Sequence, residues 1–207
     1  CIHLNAAQEL VQDEGDRDFR GCLATLGDLV RDLSIPIVVK ETGCGFSPRT
    51  LDRLRGVGVR WVDVSGAGGT TWTGVEALRG SQRQQDLGAE LREWGIPTAA
   101  SVVFACRAGL HTVASGGIRS AADVVRALAL GADAVSLALP FLHAYADQGE
   151  TGVLDAIGRL IEGVCALMLL TGARKVADLR RVPRALGPGL RGWIDAGDGE
   201  PARSPRN

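Results

Sequence analysis

The chain has 207 residues, 45% of them hydrophobic, and a formal charge of −1 at neutral pH. That length suffices for one sizeable core but falls short of the ~250 residues of a complete eight-stranded barrel. The near-neutral balance argues against a nucleic-acid binder that works through a basic surface, while leaving room for a local anion pocket, and no stretch reaches the ~18 uninterrupted apolar positions that a membrane helix needs.

In chain order, residues 1–5 read as a first strand. The chain opens on Cys1 rather than Met, inside an apolar run, which suggests that this is not a natural start. Phe19, Cys22, Leu23, Leu26, Leu29, Val30 and Leu33 then recur at helical spacing. Residues 35–40 form a β-branched strand, with Pro36 near its start and Lys40 and Glu41 at its end. Ser47 and Pro48 are an N-cap and a first-turn proline; Leu51, Leu54 and Val57 give that helix its inner face, and Gly56 and Gly58 stop it. A third strand, 59–65, runs into the loop Ser65-Gly66-Ala67-Gly68-Gly69-Thr70.

The polar stretch Arg79–Asp86 reads as a solvated insertion, and Leu87–Trp94 as a helix closed by Gly95. A fourth strand, 111–115, leads through Ser115-Gly116-Gly117-Ile118-Arg119-Ser120 into a helical pattern that ends at Gly131, and a fifth strand covers 134–139. Leu154–Leu170 is a long apolar-periodic helix. From Gly187 onward the chain is rich in Gly, Pro, Asp and Arg and reads as a flexible tail, so the expected organisation is one catalytic unit over 1–186 and a tail over 187–207.

Strands alternating with helices imply an α/β fold with a parallel sheet. Polar residues gather at the C-terminal ends of these strands: His3, Asn5, Lys40, Glu41, Ser65, Ser115. Sites are built at that edge in barrels and open parallel sheets alike. Gly116 and Gly117 allow the backbone to approach an anion, N–H groups at the following helix start favour one, and Arg119 adds charge; the same glycines would equally suit a tight strand-to-helix turn. The five cysteines, Cys1, Cys22, Cys44, Cys106 and Cys165, show no CxxC pair, so neither a disulfide framework nor a structural zinc site is expected, and a reducing cytoplasm is the expected compartment. The tryptophans read as packing residues.

Five ordered segments resemble type 2 isopentenyl diphosphate isomerase, a flavin-dependent barrel enzyme. They are residues 3–9 with 14–19 behind them, 39–45, 63–70, 114–120 and 130–134. The resemblance implies a (β/α)8 TIM barrel, of which this chain holds roughly the last five βα units, and a reaction that interconverts isopentenyl and dimethylallyl diphosphate using reduced FMN and Mg²⁺, with NADPH as reductant. It further implies that His3, Asn5 and Gln8 act on or bind the substrate and that Glu9 binds the metal. Lys40, Ser65, Thr70, Gly116, Gly117, Arg119, Ala138 and Leu139 hold the flavin. The implied partner is a small-molecule diphosphate, with no nucleic acid and no membrane, in a cytoplasmic homo-oligomer. Two alternatives stay open: an incomplete, inactive fragment or non-catalytic remnant of this enzyme, and a phosphate-binding barrel of the inosine monophosphate dehydrogenase type. The latter would need a cysteine in the loop after the third strand, where this sequence has Gly68-Gly69-Thr70-Thr71.

Overall fold

A computed structural model describes residues 1–197 and shows five strands alternating with helices. The strands are β1 (Ile2–His3), β2 (Val38–Lys40), β3 (Trp61–Asp63), β4 (His111–Ala114) and β5 (Ala134–Val135). They lie in sequence order and every pairing is parallel. This is the strand–helix repeat of a (β/α)8 barrel, present as five units. The register aligns His3, Lys40, Asp63, Val113 and Ala134 in one row across the sheet. Polar side chains at the strand ends are thereby brought side by side.

The helices are α1 (Ala6–Val11), α2 (Cys22–Asp32), α3 (Pro48–Gly56), α4 (Trp72–Ala77), α5 (Gln82–Glu90), α6 (Thr98–Arg107), α7 (Ala121–Leu130), α8 (Leu139–Thr171) and α9 (Pro188–Gly197), with a 3-10 helix at Val176–Arg181. The main core joins Val39, Val62 and Val64 of the sheet region to Leu51 and Leu54 of α3 and to Val102 and Phe104 of α6. A second cluster holds Val124 and Leu128 of α7 against Ala173 and Leu179. Among the described residues no helix is long and apolar enough to cross a membrane.

Several expectations need correction. The strands are shorter than the apolar runs because a ladder requires a partner for each N–H: Pro36 has none to give, and Ile35 is exposed. Residues 138–139 are not strand; Ala138 caps α8 and Leu139 begins it. The polar stretch from Arg79 is largely helix α5, capped by reciprocal contacts of Ser81 and Gln84. Glutamine and arginine are good helix formers, so polarity there marks exposure rather than irregular backbone.

Helix α6 had no sequence signal because it is buried on several faces, with Ala100, Ser101, Val102, Phe104 and Ala105 all inaccessible, so no 3.6-residue polar stripe exists. The expected tail is helical over Pro188–Gly197, with Ile194 buried and α9 packed on α6; residues 198–207 lie outside the described residues. The long helix of 154–170 extends back to Leu139, interrupted at Gly149.

Leu51 is fully buried between sheet and helices. Replacing it with alanine should cost about 2–5 kcal/mol of folding stability by urea unfolding. A loss below about 1 kcal/mol would mean that α3 is not packed as described.

Candidate functional site

The loops after β3 and β4 press backbone against backbone. A Cβ on Gly69 would collide with the N atom of Gly117, and one on Gly117, whose φ is +76°, would collide with the carbonyl of Gly68. Thr98 at the start of α6 clamps this contact, its hydroxyl donating to the carbonyls of Ser115 (3.1 Å) and Gly116 (2.7 Å). The glycines therefore satisfy close packing first. Beside the contact opens a cavity of about 530 Å³ at the C-terminal ends of the strands.

Its walls bring together most of the residues picked from the sequence. His3 and Gln8 border it on the β1 side, Lys40 lies on its floor, and Ser65 and Thr70 come from the loop after β3. Gly116, Gly117 and Arg119 form the β4 side, and Ala138 and Leu139 the far wall. Ser65 holds a φ of 30°, uncommon for a residue with a Cβ and here imposed where the strand ends at the cavity.

The anion cradle differs from expectation in its donors. The start of α7 is capped from within: Asp123 Oδ2 accepts the N–H groups of Arg119 (3.2 Å) and Ser120 (3.1 Å) as well as the Ser120 hydroxyl. A carboxylate already occupies that helix end. The N–H groups of Gly117 and Ile118, by contrast, meet no protein acceptor among the described residues. These loop donors, with Arg119 at the wall, suit a phosphate.

Lys40 is held by Asp63, Nζ to Oδ2 at 2.7 Å, and the other carboxylate oxygen of Asp63 accepts the Ser115 hydroxyl. The three residues come from adjacent strand ends, so the sheet register fixes the ammonium in place. Glu41 does not pair with Lys40. Its carboxylate turns into its own loop, where Oε2 accepts the N–H groups of Thr42 (2.9 Å) and Cys44 (2.7 Å). Burial pushes its pKa up to about 7 against the opposing pull of those donors. Burial, together with the Glu41 charge, pushes the Cys44 thiol to about 11, leaving it an inert thiol.

Two picked residues stand off the cavity wall. Asn5 is buried; its Oδ1 caps α1 by accepting the Gln8 N–H (2.9 Å) and its Nδ2 donates to Thr42 (2.8 Å). Glu9 accepts the N–H of Asp16 through Oε2 (3.1 Å), and Arg17 ties the same loop together, donating to the Glu9 carbonyl and, at 2.7 Å, to that of Gln12. Among the described residues no three His, Cys, Asp or Glu side chains gather as a metal cage.

A family model described as FMN-dependent dehydrogenase matches residues 4–184. The chain belongs to this family. Among similar proteins, the isopentenyl-diphosphate delta-isomerase of Halobacterium salinarum is 42% identical over 199 residues, covering 94% of this chain and 55% of the relative. The protein of the same name from Thermococcus kodakarensis is 40% identical over 197 residues, covering 94% and 53%. The chain thus spans about half the length of the curated relatives it matches, and these carry the name to which the five ordered segments pointed. Among solved structures, a mandelate oxidase with benzoyl-formic acid superposes with a TM-score of 0.56 at 26% identity, over 80% of this chain and 43% of that one. An (S)-mandelate dehydrogenase gives 0.57 at 26%, over 80% and 38%. The partial barrel fold is therefore shared with these two mandelate enzymes.

Within the FMN-dependent dehydrogenase fold, sequence reasoning overlooked Thr42, Asp63, Trp72 and Thr98 as site components, and placed Ser115 at the site edge without giving it a role. Trp72 was read as packing but borders the cavity and is 43% exposed. Asp63 carried a usable signal: a strand-end lysine rarely goes without a partner, and an acid closes the next strand.

Two measurements test this geometry. Gly69→Ala should force the two loops apart and lower the melting temperature, while Ala67→Gly in the same loop should not approach that loss. For Glu41, the folded chain holds its proton more tightly than the unfolded chain, so its contribution is fully present below pH 4.5 and lost as pH rises to about 7. Stability should fall across that window, by at most about 3 kcal/mol, and Glu41→Gln should flatten the fall in urea titrations at pH 4.5 and 8. An unchanged slope would place the titrating group elsewhere.

Proposed function

We propose that this chain provides the flavin- and diphosphate-binding face of an isopentenyl-diphosphate isomerase, interconverting isopentenyl and dimethylallyl diphosphate with reduced FMN, Mg²⁺ and NADPH as reductant. The observation that carries the reading is the convergence of Lys40, Gln8 and the unengaged N–H groups of Gly117 and Ile118 on one cavity. The relatives' names support isomerisation, and the loop after β3 has no cysteine, against the inosine monophosphate dehydrogenase alternative.

The residues fit FMN. The loop donors of Gly117 and Ile118, with Arg119, hold its phosphate, and Ala138 and Leu139 wall that end. Ser65 and Thr70 offer hydroxyls along the cavity. Lys40, fixed by Asp63 and Ser115, would supply a positive charge able to stabilise the negative charge of a reduced flavin held in the cavity. Reduced FMN supplies the acid–base chemistry of a 1,3 proton shift with no net redox change. His3 and Gln8 line the side where the substrate is held, and remote binding of the diphosphate orients the alkene. Asn5 acts from behind, as the cap of α1 and a partner of Thr42.

Mg²⁺ takes one or two carboxylates plus phosphate oxygens and water. Glu9 would supply one carboxylate, whose Oε1 has no protein partner among the described residues, and the other ligands would have to come from diphosphate and water. On the same reading the setting is cytoplasmic and the working unit a homo-oligomer, as the family resemblance implies.

The test is direct. With both edges of its sheet paired by further strands, the chain should bind FMN and, once the flavin is reduced, convert isopentenyl to dimethylallyl diphosphate, an activity not expected of the 207 residues alone; Lys40→Met should slow this at least about tenfold and make the bound flavin harder to reduce. A flavin-loaded protein that oxidises a 2-hydroxy acid and does not isomerise would overturn the assignment.

A further inference from the structure

We propose that Thr42 is a positioning residue that fixes the Gln8 side chain with its NH2 group, rather than its carbonyl, turned to the cavity, so that Gln8 donates to an oxygen of the bound diphosphate. The proposal deepens the isomerase reading and rests on it.

The polarity follows from one unambiguous donor. The backbone N–H of Gln8 bonds to the Asn5 side chain at 2.9 Å, so the accepting atom must be Oδ1; the Cys44 thiol points at the same oxygen from 3.9 Å. The remaining Asn5 atom is then NH2, which donates to Thr42 Oγ1 at 2.8 Å. The Thr42 hydroxyl has one proton to donate, and its one acceptor among the described residues is the Gln8 side chain, whose Oε1 lies 3.0 Å away. The Gln8 NH2 is left without a protein partner among the described residues, and Gln8 lines the cavity.

Thr42 is itself pinned. Its N–H is held by the Glu41 carboxylate at 2.9 Å, which also takes the Cys44 N–H and so shapes the loop after β2. Asn5 comes from the end of β1, the neighbouring strand. The relay therefore runs from loop backbone through Thr42 to Gln8, with each donor and acceptor assigned by the one before it.

The consequence is chemical. A carboxamide whose carbonyl is turned to Thr42 presents its N–H donors to a ligand, and its amide nitrogen is not a base for a proton. The hydrocarbon part of isopentenyl diphosphate has no acceptor atoms; its acceptors are the diphosphate oxygens. Gln8 is thus matched to the diphosphate and contributes uniform binding.

The full chain would be compared as wild type, Thr42→Val, Thr42→Ser, Gln8→Leu and Thr42→Val/Gln8→Leu. Each is titrated calorimetrically with inorganic pyrophosphate and Mg²⁺ and assayed for isomerisation, with melting temperatures recorded. Thr42→Val should raise the pyrophosphate Kd and the KM roughly tenfold to a hundredfold, the loss of one charge-assisted hydrogen bond, and leave kcat within about threefold. Thr42→Ser should restore both, and the double variant should be no worse than Gln8→Leu. Unchanged affinity in Thr42→Val, a loss confined to kcat, additive losses, or a wild type that does not bind pyrophosphate would each overturn the proposal. Should Thr42→Val not fold, wild-type affinity in Gln8→Leu overturns it equally. A chain that shows the affinity pattern but does not isomerise would keep the Thr42 relay and remove the functional reading instead.

Discussion

The arrangement depends on the seam where Gly68-Gly69 meets Gly116-Gly117. Parallel strands usually part company beyond their last ladder bond, because side chains on the outgoing loops keep the backbones apart. Here the absence of Cβ atoms lets the loops after β3 and β4 stay in van der Waals contact past the end of the sheet, and the Thr98 hydroxyl joins two carbonyls of the second loop to α6. A set of donors suited to a phosphate is a by-product of that contact. With the start of α7 satisfied by Asp123, the N–H groups of Gly117 and Ile118, two residues that line the cavity, meet no protein acceptor among the described residues. The same glycines that permit the close packing also leave donors that suit an anion, so a tight turn and a binding loop are compatible in this motif.

A common plan governs the charged and polar side chains around the cavity. Each group that borders it is held by one that does not: Lys40 by Asp63 and Ser115, Gln8 by Thr42 and Asn5. Because these pairs span adjacent strand ends, their geometry is inherited from the parallel register rather than from loop conformation. Glu41 shows the cost of such placement. Its carboxylate is buried to organise a loop, and burial sets its pKa about where cellular pH lies. The loop after β2 is held by a group close to losing or gaining its charge.

Legibility in the sequence followed physical rules. Strand ends and their polar tips were readable because short β-branched runs punctuated by glycine leave little choice of element, and Ser47-Pro48 and Ser120 with Gly131 marked helix limits that the structure reproduces. Helix α6 was invisible because burial on several faces erases amphipathic period, and α5 because its polar glutamines look like loop until the Ser81 and Gln84 cap is recognised. For the site, residues with distinctive chemistry at strand ends were found. Thr42 and Thr98, which act through them, were missed, since they are ordinary hydroxyls until the fold shows what they face. Asn5 was picked as a contact residue and proved to be a cap, because alternation along a strand cannot distinguish a side chain lining a cavity from one turned under it.

Closure of the sheet and closure of the site are one problem. β1 and β5 each have one strand neighbour among the described residues, and unpaired edge N–H and C=O groups seek partners. The same two edges flank the cavity, with Cys1 and His3 on one side and Leu137 to Leu139 on the other. Any strands that satisfy both edges in the manner of a closed barrel must pass across the open side of the cavity and wall it. Exclusion of water from the cavity, which strengthens every electrostatic contact made by Lys40 and the loop donors, is then obtained by the same hydrogen bonds that stabilise the fold. An open sheet of this sequence would hold its ligands in a wet groove and weaken both. Affinity for a diphosphate and resistance to unfolding should therefore rise together whenever the edges are paired.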